Sequence, residues 1–162
     1  MIKQKLSSSN RGFTLVELMI ILVSLGIIVA IIYHTYSGIQ NQSINTKKET
    51  AIRTLQESIE KFYSKNMYYP SLANINSSAW RNINMPGLTN TMLKDPTWTT
   101  KNTLCNLEGK AILLSTPQPG CYGYSPTNNG ASCANSDKTC SEYTLSAILE
   151  GNKGLYTLHQ LD

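Results

Sequence analysis

The sequence predicts an α+β fold: one long N-terminal helix, membrane-spanning in its first half and amphipathic in its second, packed against a small antiparallel sheet head. Three observations carry this expectation. An almost unbroken apolar run, RGFTLVELMIILVSLGIIVAIIYH, occupies residues 11–34. No proline precedes Pro70, and the only glycines between the start of that run and Tyr69 are Gly12, Gly26 and Gly38, so little interrupts a helix there. Short alternating segments separated by Gly- and Asn-containing turns follow in the C-terminal part.

The helix is expected over residues 13–64. At 1.5 Å per residue it would reach about 75–80 Å. Residues 13–33 are long enough to cross a hydrocarbon core of about 30 Å. An ordinary secretory signal has a shorter apolar core and a small-residue cleavage site after it, and neither is present here. Lys3, Lys5 and Arg11 all precede the apolar residues that begin at Phe13. Basic residues in that position stay on the cytoplasmic side, which predicts a single-pass, N-in anchor with the body outside. His34 reads as an interfacial polar residue. Further along, Ile52, Leu55, Ile59 and Phe62 recur at three- and four-residue steps and predict a core-facing stripe. Lys48, Glu49, Arg53, Glu57, Glu60 and Lys61 are expected on the other faces. Glu49 with Arg53 and Glu57 with Lys61 place the acid four residues before the base, the favourable order.

The turn-rich passage 68–95, with YYPSL and NMPGL, predicts a loop carrying short helical pieces around Trp80 and over 89–93. Strands are expected at 110–115, 122–125, 143–149 and 155–159. The last two alternate apolar and polar residues around EGNKG, a hairpin signal. Cys105, Cys121, Cys133 and Cys140 all lie in this later half. An even count outside the cytoplasm favours disulfides, and four cysteines allow three connectivities. The preferred pairing is Cys105 with Cys121 across a strand pair and Cys133 with Cys140 closing the loop CANSDKTC. Zinc is disfavoured, because there is no C-x-x-C pair and the two histidines are remote in sequence.

Composition narrows the function classes. The formal net charge is +4, but three of the 14 basic residues precede Phe13, leaving 11 against 10 acids in the rest. Such a near-neutral body offers no basic stripe for nucleic acid. Only 15% of residues are charged, so hydroxyls and amides hydrate the surface, as in a secreted domain. No nucleophile–histidine–acid grouping, phosphate loop or carboxylate cluster suggests an enzyme, and His159 is the only histidine in the head. No cofactor or metal is implied.

A basic leader, then RGFTLVEL, a long apolar helix and a C-terminal sheet resemble the type IV pilin and pseudopilin family. The sequence resemblance covers about residues 9–36; beyond it, YYPS and LKDP are only loosely similar, and EYTLSAILEG looks like the late strands of such proteins. The resemblance implies a leader at 1–12, cut between Gly12 and Phe13 by a prepilin peptidase that also methylates Phe13. It implies a membrane and filament-core half at 13–36, an amphipathic half at 37–66 and a globular head at 67–162. It further implies a structural subunit of a surface filament, built by self-association with an assembly ATPase and a membrane platform, and lipid-bound before assembly. The chain departs from many members in having His34 where they carry a proline, and Gly26 is the remaining weak point of the helix.

Glu17 is a carboxylate inside the apolar run. A charge in a membrane helix costs about 2.5–3.5 kcal/mol when central on insertion scales, and it marks function when a partner can be named. The resemblance supplies that partner, the charged α-amino group of Phe13 on a neighbouring subunit, and makes Glu17 an assembly residue that fixes register. Two rival readings stand beside the pilin: a pseudopilin of a secretion or competence machine, and a membrane-anchored binding domain. Calcium-binding secretion pseudopilins cluster acids in a late loop. Here Asp137 and Glu142 are sparse, which tips the balance toward a pilin.

Overall fold

A computed structural model of the chain describes residues 12–107, 110–133, 135 and 140–161. Residues 1–11 of the expected leader, with Lys3, Lys5 and Arg11, and the late-loop residue Asp137 lie outside them. The architecture is α+β. Helix α1 (Leu15–Asn66) is followed by the short helices α2 (Leu72–Asn76) and α3 (Ser78–Asn84), and then by strands β1 (Asn106–Leu107), β2 (Lys110–Ala111), β3 (Gly123–Asn128), β4 (Ala131–Ser132), β5 (Glu142–Ile148) and β6 (Leu155–His159). β1 and β2 form a small antiparallel ribbon, and the main sheet is antiparallel in the order β4-β3-β5-β6. The chain divides into two compact units, Met1–Ile39 and Gln40–Asp162.

In the first unit, every residue from Gly12 to Tyr33 is exposed. Phe13, Leu15, Val16 and the leucines, isoleucines and valines after them find no core of their own. This part of α1 is long and apolar enough to cross a membrane. A continuous apolar surface of that extent marks a segment covered by lipid or by other helices.

In the second unit, the stripe Ile52, Leu55, Ile59 and Phe62 is buried and packs in one core with Tyr124, Tyr143, Leu145 and Ala147 of the sheet. Alternation along β5 decides which residues face inward, since successive side chains point to opposite faces. Aromatic rings fill the space between helix and sheet: Tyr63 stacks on Tyr69 at 4.4 Å, and Tyr69 meets Tyr143 edge-on at 4.7 Å. Helix α1 stops before Met67, a non-glycine residue at φ 63° whose N–H bonds the Tyr63 carbonyl at 2.7 Å. The side chains of Ser71 and Ser77 then cap α2 and α3 by accepting from Asn74 N–H and Trp80 N–H.

Several expected elements take a different form. Residues 110–115 form a strand only at β2; beyond it Leu114 makes an isolated parallel bridge to Gly123. β3 continues to Asn128 instead of stopping at Ser125, because Asn129 (φ 48°) and Gly130 (φ 77°) turn it into the unanticipated β4. Two successive positive φ angles are what a tight hairpin turn requires, and TNNGA carries that signal. Residues 90–93 are turns rather than a helical piece. Their bonds, Met92 N–H to Thr89 O and Lys94 N–H to Thr91 O, span three residues each. The buried Arg81 guanidinium organises that passage, donating to the carbonyls of Ile75 at 2.5 Å and Leu88 at 3.2 Å and to Asn90 Oδ1.

The largest correction concerns Lys48 and Glu60, which the hydrophobic pattern assigns to outward faces. Lys48 is 0% exposed. Its ammonium reaches Asp95 Oδ2 at 3.3 Å, Glu150 Oε1 at 2.8 Å and the Ile148 carbonyl at 2.8 Å. Glu60 is half-buried and accepts from Tyr143 OH at 2.7 Å, Tyr69 OH at 3.2 Å and Leu161 N–H at 3.0 Å. Burial foremost, with the Glu60 carboxylate second, pushes the Tyr69 hydroxyl well up from its usual range, so it stays a donor. Asn45 exchanges two bonds with the Glu150 backbone, and Gln56 donates to the His159 carbonyl at 2.6 Å. Asn45, Lys48, Gln56 and Glu60 recur at helical spacing beside the apolar stripe. They satisfy backbone groups at the ends of the β5–β6 hairpin that a purely apolar face would leave unpaired. The paired charges expected on the surface are not ion pairs; Arg53 lies instead 5.9 Å from the Tyr156 ring centroid.

Two disulfides complete the head, Cys105–Cys121 and Cys133–Cys140. The first joins residues flanking strands rather than partners on paired strands: Cys105 precedes β1 and Cys121 precedes β3. The second closes the segment leading into β5, where Tyr69 N–H bonds the Cys140 carbonyl at 2.9 Å. Sequence separations of 16 and 7 give loop-closure contributions of about 3 and about 2 kcal/mol. Replacing each pair by serine should therefore lower stability in that order, read as urea midpoints of the purified chain. Exported protein should yield no alkylatable thiol without reductant; recovery of two would show that the bridges are not formed in the cell.

Candidate functional site

The residues singled out by the sequence motif lie together at the start of α1. Gly12, Phe13 and Thr14 precede the helix, and among the described residues none beyond its chain neighbour comes within 4 Å of where a Gly12 side chain would begin. Thr14 is the N-cap: its carbonyl accepts the first helical bond, from Leu18 N–H at 3.2 Å. Its hydroxyl oxygen accepts from Glu17 N–H at 3.2 Å. In return, Glu17 Oε2 accepts from Thr14 N–H and from the Thr14 hydroxyl, each at 2.8 Å. Threonine at the cap and glutamate three residues later make a reciprocal capping box.

This arrangement bears directly on why an acid sits in an apolar segment. The first N–H groups of a helix have no intrahelical partner, and in hydrocarbon water cannot serve them. Glu17 and Thr14 satisfy two of these donors from within the chain. Glu17 stands out in the sequence as a lone acid, whereas Thr14 does not, although T-x-x-E before an apolar run is a legible cap signature. The cysteines lie in the other unit and form the two bridges described above. Among the described residues, no group of histidine, cysteine and acidic side chains has the makings of a metal site.

Comparison with known proteins bears on the same stretch. Residues 7–33 match the family model for the prokaryotic N-terminal methylation motif, which takes in Gly12, Phe13, Thr14 and Glu17. The chain is 35% identical over 65 residues to the type IV major pilin protein PilA of Myxococcus xanthus (strain DK1622). That alignment covers 40% of this chain and spans 30% of the relative's length. No solved structure matches the chain significantly. The motif, the relative and an apolar helix leading into a sheet-bearing head all point the same way: over its N-terminal part the chain is similar to type IV pilins.

Proposed function

We propose that the chain is the precursor of a filament subunit. It enters the cytoplasmic membrane as a single-pass, N-in protein and loses residues 1–12 to a prepilin peptidase. Phe13 is then N-methylated, and the subunit polymerises into a type IV pilus at the cell surface. In this reading residues 13–36 are membrane anchor first and filament core later. Residues 37–66 are the amphipathic half of the helix, and 67–162 form the globular head. An assembly ATPase and a membrane platform supply the work of extraction.

The observation that carries the proposal is the unburied apolar surface of residues 13–33, joined to a matched methylation motif. Such a surface is stable in lipid or against copies of itself, and burial in a bundle replaces the one with the other. The pilus is favoured over the pseudopilus because the relative is named a major pilin.

Two measurements test this. Intact mass of the membrane-extracted chain should show loss of residues 1–12 and gain of one methyl group on Phe13. Negative-stain images of sheared surface fractions should contain long fibres that disappear when the gene is removed. A mature, methylated chain without surface fibres would favour the pseudopilus. An uncleaved chain would sink the processing model.

A further inference from the structure

The capping box does more than satisfy donors, because it fixes where the helix begins. Gly12 and Phe13, whose peptide bond is the one to be cut, lie in non-helical backbone outside α1. A peptide bond inside a helix has its carbonyl and N–H engaged and its sides covered by neighbouring turns, whereas one in non-helical backbone can be laid into a protease cleft. Phe13 and the apolar residues after Thr14 do not stop a helix by themselves. Thr14 does, since its hydroxyl bonds Glu17 N–H only while Thr14 itself is non-helical.

We propose that Thr14 is a positioning residue for leader removal: its side chain halts α1 one residue after the scissile bond and so holds the Gly12–Phe13 peptide in cleavable form. This rests on the processing reading above. Without the cap, the helix can start two residues earlier, with Gly12 as a serviceable N-cap, and the scissile bond becomes its first peptide. The cap bond reaches the backbone N–H of residue 17 and is independent of the side chain there. Loss of the Glu17 carboxylate therefore removes only half of the box and leaves the stop in place.

The test is the rate of leader loss from the full-length chain in membranes, incubated with detergent-solubilised prepilin peptidase and followed by intact mass. Thr14→Val keeps the shape and removes the hydroxyl; it should be cut about fivefold more slowly, the factor for a typical cap. Thr14→Asn and Thr14→Ser change the shape and keep a capping oxygen; both should be cut at the native rate. Equal rates for Thr14→Val and the native chain would overturn the proposal. So would slow cleavage of Thr14→Asn together with Thr14→Val, which would mean that the peptidase reads threonine itself. If the native chain is not cut at all, the processing reading fails first, an outcome distinct from either of these.

Discussion

Lys48→Ala should cost the head about 3–5 kcal/mol, the usual consequence of removing one partner from a buried ion pair. The cost arises chiefly at Asp95, which is 2% exposed and would be left with a charge and no cation. Glu150 contributes less, since its side chain is 36% exposed and water takes over the lost bond. Against a total of about 5–15 kcal/mol for a domain, the loss would leave a substantial fraction unfolded. Guanidinium unfolding of the full-length chain in detergent, followed by the fluorescence of Trp80 and Trp98, reads it directly. A second variant locates the cause. Lys48→Met with Asp95→Asn removes both charges, and the new amide oxygen can still accept from Thr97 N–H and the Thr97 hydroxyl, as Asp95 Oδ1 does at 2.7 and 2.6 Å. That pair should recover most of the stability. If Lys48→Ala changes stability by less than about 1 kcal/mol, the ion pair is not what fastens the hairpin and the 95–98 turn to α1.

The amphipathic half of the helix is legible because periodicity reports directly on burial: Ile52, Leu55, Ile59 and Phe62 are the core face that the stripe implies. The β5–β6 hairpin was legible for the same reason, reinforced by the glycines of EGNKG. Lys48 and Glu60 were not, because a charged residue in a helix normally means water. Only the position of the hairpin ends, which is a tertiary fact, brings acceptors to the lysine and donors to the glutamate. Near Gly123 the limit is similar. A side chain there would press on Ser146 and on Pro117, so the glycine lets the 114–118 segment lie against the sheet. Its sequence neighbours do not announce that approach. At the helix start the opposite holds: Thr14 and Glu17 sit three apart before an apolar run, and the cap could have been read from spacing alone.

Glu17→Ala should abolish filament formation while leaving membrane insertion and cleavage after Gly12 intact. Insertion persists because residues 13–33 remain apolar and a desolvation cost disappears. Cleavage persists because the scissile glycine is untouched and the Thr14 hydroxyl still receives the residue-17 N–H. Assembly fails because the positively charged Phe13 terminus then enters an apolar bundle without a counter-ion. At about 3–5 kcal/mol for a stranded buried charge, each subunit addition becomes more than about a hundredfold less favourable. The carboxylate has two candidate roles, cap and counter-ion, and Glu17→Gln separates them. Glutamine serves in a capping box as glutamate does but brings no charge. If the counter-ion role governs assembly, Glu17→Gln should be as fibreless as Glu17→Ala. The measurements are paired: the ratio of cleaved to uncleaved chain in membranes, and the fibre mass released by shear. Native fibre yield from Glu17→Gln alone would assign the role to the cap. Native yield from Glu17→Ala would show that the chain tolerates the acid without using it in assembly.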